Sequence, residues 1–310
     1  MPRYWRNKAV LAKVETTYGT DAVPTGAANA MLASNVKLTP LDAEFVDRSY
    51  DMPYLGKAPK VAVAQKAKLS FEVELAGSGT AGTAPAWAPL LRGCGMAETI
   101  VASTSAAYNP ISAAQDSLTL YLNVDGKNHK LLGARGSWSV KLDAKQIPML
   151  SFEFTGLWTL ATDTVLPTLT TTAWKAPLAV NNTNTPTASF SVHGYSSKLY
   201  SLNLNIGNQV VYRNLPGAED VLITDRDPGG DITIEDPTMS AKDFFTVIKA
   251  GTVGLLTVTH GTVGGAKIKI DAQVQLLNPD YDQIDGVVVL KMGLEPTPLA
   301  GNDEIVITNL

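Results

Sequence analysis

Cysteine is almost missing from this chain of 310 residues. The one thiol, Cys94, excludes an intrachain disulfide and any zinc site built from several cysteines. Histidine is scarce too. His129, His193 and His260 stand far apart, and none has a second histidine or a carboxylate at metal-ligand spacing, so no metal ligand is assigned. Charged residues make up 17% of the chain, against about 25% in ordinary soluble domains. A surface so depleted is expected to be covered by neighbouring chains, as in an assembly subunit. The net charge of −4 and pI near 5.4 argue against a protein that grips nucleic acid, because that grip needs clusters of Lys and Arg. They still allow a surface past which DNA slides. No uninterrupted apolar run reaches the ~18 residues of a membrane span, and Met1-Pro2-Arg3-Tyr4-Trp5-Arg6 is polar and basic with no apolar stretch behind it. The expectation is folding in a cytoplasm, without a membrane partner.

What is present is β-type alternation, with its order of elements recurring along the chain. The length leaves room for about two domains. Val140-Lys141-Leu142-Asp143-Ala144 returns as Ile268-Lys269-Ile270-Asp271-Ala272, and each string is followed by a strand-like run with Gly-Leu, Gly156-Leu157 and Gly293-Leu294. Around these strings the order strand, polar excursion, strand, short amphipathic helix and further strands recurs. The expected fold is mainly β, in two tandem modules with one short flanking α-helix each. The first module covers 1–160, with an N-terminal arm and a long loop at 42–66. A linker at 161–197 carries one short strand at 190–192, and the second module covers 198–310 with a C-terminal tail.

In the first module 35–40 reads as a strand before the polar loop. From Lys68 the period is two: Leu69, Phe71, Val73 and Leu75 share one face, while Lys68, Ser70, Glu72 and Glu74 share the other. Pro85 suits a first helical turn, and Trp87, Leu90 and Leu91 share the side of a short helix that Gly93 and Gly95 end. Leu118, Leu120 and Leu122 alternate up to Asp125-Gly126, a strong hairpin turn, and strands at 137–142 and 149–157 follow. The second module opens on Leu202, Leu204 and Ile206, then has a shorter excursion through 225–230 and a strand at 232–234. A helix with Ser240 as N-cap runs through Phe244, Phe245, Val247 and Ile248 to Gly251, and strands at 255–259, 267–276 and 287–292 complete it.

Catalytic signatures are absent from this pattern. Gly77-Ser78-Gly79-Thr80-Ala81-Gly82 matches a dinucleotide-binding glycine spacing. The following helix is short and carries Pro85 and Pro89, so the segment reads as a flexible loop and no cofactor is assigned. Cys94, between two glycines, reads as a packing residue, and Asp280, Asp282 and Asp285-Gly286 read as a solvated hairpin loop that lacks the closing glutamate of a calcium site. No catalytic residue is assigned. The informative pattern is spread over strand faces: Ser70, Glu72 and Glu74; Ser139, Lys141 and Asp143; Ser151, Glu153 and Thr155; Asp231, Thr233 and Glu235; Lys267, Lys269, Asp271 and Gln273. It fits the wall of an aqueous channel and equally an ordinary solvated sheet face.

The stretch Lys13-Val14-Glu15-Thr16-Thr17-Tyr18-Gly19-Thr20-Asp21-Ala22-Val23-Pro24-Thr25-Gly26-Ala27-Ala28-Asn29-Ala30, leading through 35–40 to Asp47-Arg48, resembles the opening of tail tube proteins of long-tailed, non-contractile bacteriophages, and 225–235 is similar to that family as well. The resemblance implies a β-sandwich or barrel in each module, whose sheets join across subunits around a DNA-conducting lumen. It implies a structural protein of the siphovirus virion tail, assembled in the host cytoplasm. Its partners would be copies of itself, the tape-measure protein and genomic DNA inside, and tail terminator and distal tail proteins at the ends. With two modules per chain, a homotrimeric ring with pseudo-sixfold symmetry is expected. Ser70, Glu72, Glu74, Ser139, Lys141, Asp143, Glu153, Asp231, Thr233, Glu235, Lys269 and Asp271 are the candidates for the lumen. Phe45, Arg48, Tyr50, Tyr54 and Leu55 in the 42–66 loop are candidates for contacts between stacked rings, together with the N-terminal arm and the tail 295–310. The rival readings are a secretion-tube or contractile-tail inner-tube component and a minor or head-decoration virion protein.

Overall fold

A computed structural model describes residues 2–310, and they form mainly β-strands. In chain order these are β1 (Lys8–Val14), β2 (Ala30–Met31), β3 (Ala33–Val46), β4 (Val61–Glu74), helix α1 (Ala88–Arg92), β5 (Met96–Val101), β6 (Ser105–Pro110), β7 (Leu118–Val124), β8 (Lys127–Asp143), β9 (Met149–Trp158) and β10 (Thr162–Asp163). They continue with β11 (Phe190–Val192), β12 (Leu199–Asn205), β13 (Asn208–Leu215), β14 (Ala218–Arg226), β15 (Gly229–Glu235), helix α2 (Phe244–Lys249), β16 (Val253–His260), β17 (Ile268–Ile284), β18 (Val287–Pro296) and β19 (Ile305–Asn309).

Eight strands make one uninterrupted antiparallel sheet in the order β3-β4-β9-β8-β12-β15-β18-β17. The join at its middle is β8 against β12, with Ser139, Lys141 and Asp143 opposite Asn205, Asn203 and Ser201. β8 and β17, 17 residues each, are shared with a second set of pairings: their first halves lie beside β7 and β10 and beside β16 and β19. β1 flanks β7 and β11 flanks β16. Packing between these strands and the sheet is continuous along the chain. One apolar cluster takes in Val10, Phe71, Trp87, Trp138, Phe154, Phe190, Phe244 and Ile307, every one of them buried.

Local chemistry accounts for most boundaries. Asp125 and Gly126 both have positive φ (45° and 90°), the geometry that a two-residue primed turn needs between twisted strands, and Asp285 and Gly286 (51° and 78°) repeat it. α1 buries Ala88, Leu90 and Leu91, and the Trp87 indole N–H beside it donates to the Ala76 carbonyl at 2.8 Å. α2 starts at Phe244, later than a Ser240 cap predicts. Asp243 is the cap, accepting the Thr246 N–H at 2.9 Å, while the Ser240 hydroxyl pairs with that of Thr238 in the preceding turn.

Several expectations change in the structure. The two similar strings occupy different places: 140–143 lies in the second half of β8 between β9 and β12, whereas 268–272 lies in the first half of β17 between β16 and β19. Gly156 and Gly293 likewise pair differently, with Ala67 on β4 and with Asp231 on β15. The segment 42–66 is largely an arm instead of a loop, since β3 and β4 stay paired out to Val46 and Val61. The excursion before 232–234 holds an unforeseen hairpin, β13 with β14. The glycine-rich loop is fastened: Gly79 N–H donates to the Gly265 carbonyl at 2.9 Å, and a Cβ on Gly77 would meet that carbonyl at 2.2 Å. Its glycines serve close backbone approach. The tail ends in a core strand, for β19 joins β17 to β6 and buries Ile305, Ile307 and Asn309.

The 161–197 segment is tied to both halves. Trp174 donates to the Ala30 carbonyl at 2.9 Å, and Val180 N–H to the Gln146 carbonyl at 2.8 Å. His260, 3% exposed, holds the Leu178 carbonyl at 2.9 Å and the Thr185 hydroxyl. Burial pushes this imidazole below its usual value, against a weaker upward pull from the Leu178 carbonyl. The stability carried by neutral His260 is therefore complete above about pH 6.5, the unfolded value, and is lost as the pH falls toward the depressed folded value. Thermal melts of wild type and His260→Gln at about pH 7.5 and about pH 5.5 should show a smaller acid loss in the variant. An equal loss would remove His260 as the source.

Candidate functional site

Residues directly opposite on adjacent antiparallel strands point to the same side, so the register assembles one face of the eight-stranded sheet. One row runs Glu74, Met149, Lys141, Asn203, Asp231, Gly293 from β4 to β18. The next runs Glu72, Ser151, Ser139, Asn205, Gly229, and another Ser70, Glu153, Ser137. Beyond Lys141 lie Asp143, Ser201, Thr233, Lys291, Asp280, then Glu235, Val289, Asp282. The alternate residues of the same strands, among them Leu69, Phe71, Val140, Phe152, Leu202, Ile232 and Met292, are buried in the core. Apart from Met149 and the buried Val289, a face that is polar across all eight strands is thus built from period-two alternation and register.

Of the twelve residues assigned to a channel wall, ten share this face: Ser70, Glu72, Glu74, Ser139, Lys141, Asp143, Glu153, Asp231, Thr233 and Glu235. Lys269 and Asp271 do not. They form their own ion pair at 2.7 Å on the first half of β17, between β16 and β19, away from the eight-stranded sheet. Sequence reading missed Lys37, Asn203, Asn205, Lys291, Asp280 and Asp282 on the face; the alternation Asp280-Tyr281-Asp282 was the available signal, obscured by the neighbouring Asp285-Gly286 turn.

Carboxylates outnumber lysines on the face, and most lysines there are neutralised locally. Lys141 contacts Asp143 at 2.8 Å. This hydrogen bond, reinforced by the negative charges of Asp143, Asp231 and Glu72, raises its pKa above the usual value. Lys198 holds Glu235 at 2.7 Å, and Lys291 holds Asp282, which draws the Asp282 carboxyl below its ordinary range. Asn35 donates to Glu72 at 2.6 Å and Asn203 to Asp231 at 3.2 Å. The arrangement offers hydroxyls, amides and compensated acids to water, with a residual negative sign. No cluster of three or more His, Cys, Asp or Glu that could hold a metal occurs among the described residues. No helix among them is long and apolar enough to cross a membrane.

Two arms leave the sheet at its β3–β4 and β12–β15 connections. The second, β13–β14, lies against the first half of the chain: Arg135 donates to the Val221 carbonyl at 2.8 Å, Val221 N–H to the Tyr18 hydroxyl at 2.5 Å, and Asn208 to the Cys94 carbonyl at 2.7 Å. Arg226 pairs with the buried Glu304. The first arm meets the second near its base, where the Gln65 N–H donates to the Tyr212 hydroxyl at 3.4 Å and the Lys66 ammonium lies 5.6 Å from the Tyr212 ring, and its outer part projects away from them. Phe45, Tyr50, Tyr54 and Leu55 are each more than half exposed, and Arg48 is exposed beside them. A family model described as phage tail tube protein matches residues 5–310. No curated protein matches the chain.

Proposed function

The chain belongs to the phage tail tube protein family, and from that premise we propose that it polymerises as stacked rings of three copies into the tube of a non-contractile phage tail. The polar face of the eight-stranded sheet lines a lumen that conducts DNA during ejection into the host. The continuity of that face across β8 and β12 is the observation that carries the reading.

Two tandem tube modules account for the order of pairings. β3-β4-β9-β8 in the first half corresponds to β12-β15-β18-β17 in the second; β1 beside β7 corresponds to β11 beside β16, and β10 beside β8 to β19 beside β17. α1 and α2 fall at the same point in each series. Each module adds four strands to the wall. At about 4.8 Å between strands and about 40° of tilt, two chains would close a barrel of about 16 Å backbone radius and three one of about 24 Å. Once side chains are subtracted, the larger barrel admits a hydrated duplex and the smaller does not. Three chains supply six modules, giving pseudo-sixfold symmetry.

The lumen chemistry suits passage without adhesion. Acids repel phosphate, hydroxyls and amides hold water, and Lys141 and Lys291 are already committed to Asp143 and Asp282. The exposed arm, with Phe45, Arg48, Tyr50, Tyr54 and Leu55, reaches a neighbouring ring. Its partners are copies of itself, the tape-measure protein and genomic DNA in the lumen, and terminator and distal tail proteins at the tube ends. Its place is the virion tail, after assembly in the host cytoplasm.

Deleting 45–56 should leave folded subunits that form no tubes in negative-stain images; normal tubes from that deletion would refute the arm's role. Glu72→Lys combined with Glu74→Lys should assemble normally yet slow DNA ejection from phage carrying it, because the lumen gains cations that bind phosphate. Unchanged ejection kinetics would remove these residues from the lumen.

A further inference from the structure

Two edges of the eight-stranded sheet have no strand beside them among the described residues: β3 at one end and the 280–284 segment of β17 at the other. The chain itself contains a worked example of how such edges meet. At its middle, the last strand of the first series, β8, pairs with the first strand of the second, β12. β17 stands where β8 stands, and β3 where β12 stands.

The correspondence can be fixed to the residue. The two arms begin at equivalent pairs, Asp42 opposite Lys66 and Asn208 opposite Arg226. The pairs just inside them, Thr39 with Lys68 and Asn205 with Gly229, then correspond, which matches Lys37 to Asn203 and Leu38 to Leu204. At the other end, Leu75 N–H donates to the Pro148 carbonyl at 2.9 Å and Asp236 N–H to the Val288 carbonyl at 3.2 Å, which matches Pro148 to Val288. The pair Lys141 with Met149 then corresponds to Asp282 with Val289. In the internal join Lys141 stands opposite Asn203.

Resting on the tube reading above, we propose that β17 of one copy pairs antiparallel with β3 of a second copy in the register that sets Asp282 opposite Lys37, Asp280 opposite Thr39 and Ile284 opposite Asn35. The Lys141–Asn203 pair inside the chain, a cation opposite an uncharged amide, is replaced by an ion pair between chains.

Burial at the two kinds of edge agrees. Leu202, Leu204 and Ile206 on β12 are 0% exposed because Val140 and Leu142 of β8 lie alongside, whereas Val36 and Leu38 are only half-buried and Pro40 is exposed. Tyr281, the counterpart of Val140, is 56% exposed. A groove of about 230 Å³ beside β3, lined by Trp5, Val36, Leu38, Pro40, Leu122 and Val124 among others, lies where a second copy's Tyr281 would arrive in this register. Lys37 makes no side-chain hydrogen bond or ion pair among the described residues, so its ammonium is available as a second cationic partner for Asp282, beside Lys291. Pro40, which cannot donate to a ladder, falls at the end of the paired stretch, where an edge tolerates it. Opposite charges directly across a strand pair also disfavour a slip by one residue, which would place Asp282 against Val36 or Leu38.

The test is a cysteine pair, Lys37→Cys with Asp282→Cys, oxidised in assembled tubes and run on a denaturing gel without reductant. Ile206 N–H to Trp138 carbonyl and Ala144 N–H to Tyr200 carbonyl mark the hydrogen-bonded positions of the internal join, so Lys141 and Asn203 form a non-hydrogen-bonded pair. At the matching place, Cα atoms about 4.5 Å apart lie within disulfide reach. Native Cys94 is buried and stays out of the reaction. Most chains should cross-link, and Thr39→Cys with Ile284→Cys, shifted by four residues, should not. Tubes that assemble but cross-link equally in the shifted pair, or in neither, would overturn the register and leave the tube reading standing. Failure of the wild-type protein to form tubes would overturn the tube reading itself. Independently of any disulfide, Lys37→Glu should abolish tubes and Lys37→Glu with Asp282→Lys should restore them; a swap that restores nothing contradicts the pair.

Discussion

A main-chain N–H or C=O at the edge of a β-sheet needs a partner, and a long exposed edge recruits whatever strand it meets. In this chain β8 and β12 satisfy one another, so what would be two small sheets becomes a single one of eight strands. The join sets the polar face in one surface and makes the core continuous from Val10 to Ile307. Among the described residues it also leaves an unpaired edge at each end, formed by β3 and by the end of β17. An internal solution to the edge problem that leaves the same problem at both ends is the physical basis for proposing self-association. Repeating the internal join from copy to copy consumes both edges, and a closed ring leaves none.

The same alternation divides labour between the two sides of the sheet. Side chains at one parity, such as Phe71, Phe152 and Phe154, form an aromatic seam in which Phe154 stacks on both of the others, with Phe152 and Phe154 centroids 5.8 Å apart. Those at the other parity, Ser70, Ser151 and Glu153, are left to solvent or to cargo. Wall stiffness and wall chemistry can therefore be altered separately. The arms depart from this scheme in an unequal way: β13–β14 is clamped through Arg135, Tyr18 and the buried Arg226–Glu304 pair, while the β3–β4 arm projects Tyr54 and Leu55 into solvent. In the proposed tube, the clamped arm strengthens the chain and the free arm reaches the next ring.

Strand faces were legible because hydrophobic alternation is a local property: Leu69, Phe71 and Val73 against Ser70, Glu72 and Glu74 could be read without knowing any partner. The Asp125-Gly126 and Asp285-Gly286 turns were legible for the same reason, since positive φ at both positions selects those residue types. Pairing was not legible, because an alternating string fits any neighbour of the right parity. Val140-Lys141-Leu142-Asp143 and Ile268-Lys269-Ile270-Asp271 share a pattern yet sit in different environments, which is why Lys269 and Asp271 were grouped with a face they do not join. The β13–β14 hairpin escaped notice because its apolar residues come as the short runs Val210-Val211-Tyr212 and Val221-Leu222-Ile223 instead of a strict alternation, and Asp243 captured the α2 cap through geometry that Ser240 only matched in type.

In the proposed tube one chain supplies two modules of the wall, so that a ring closes on three chains. Image reconstruction of purified tubes at a resolution that separates strands tests it directly. Threefold rings of about twenty-four wall strands, eight from each chain, are expected, with β8–β12 joins within chains alternating with β17–β3 joins between chains. True sixfold rings built from six whole chains would contradict it.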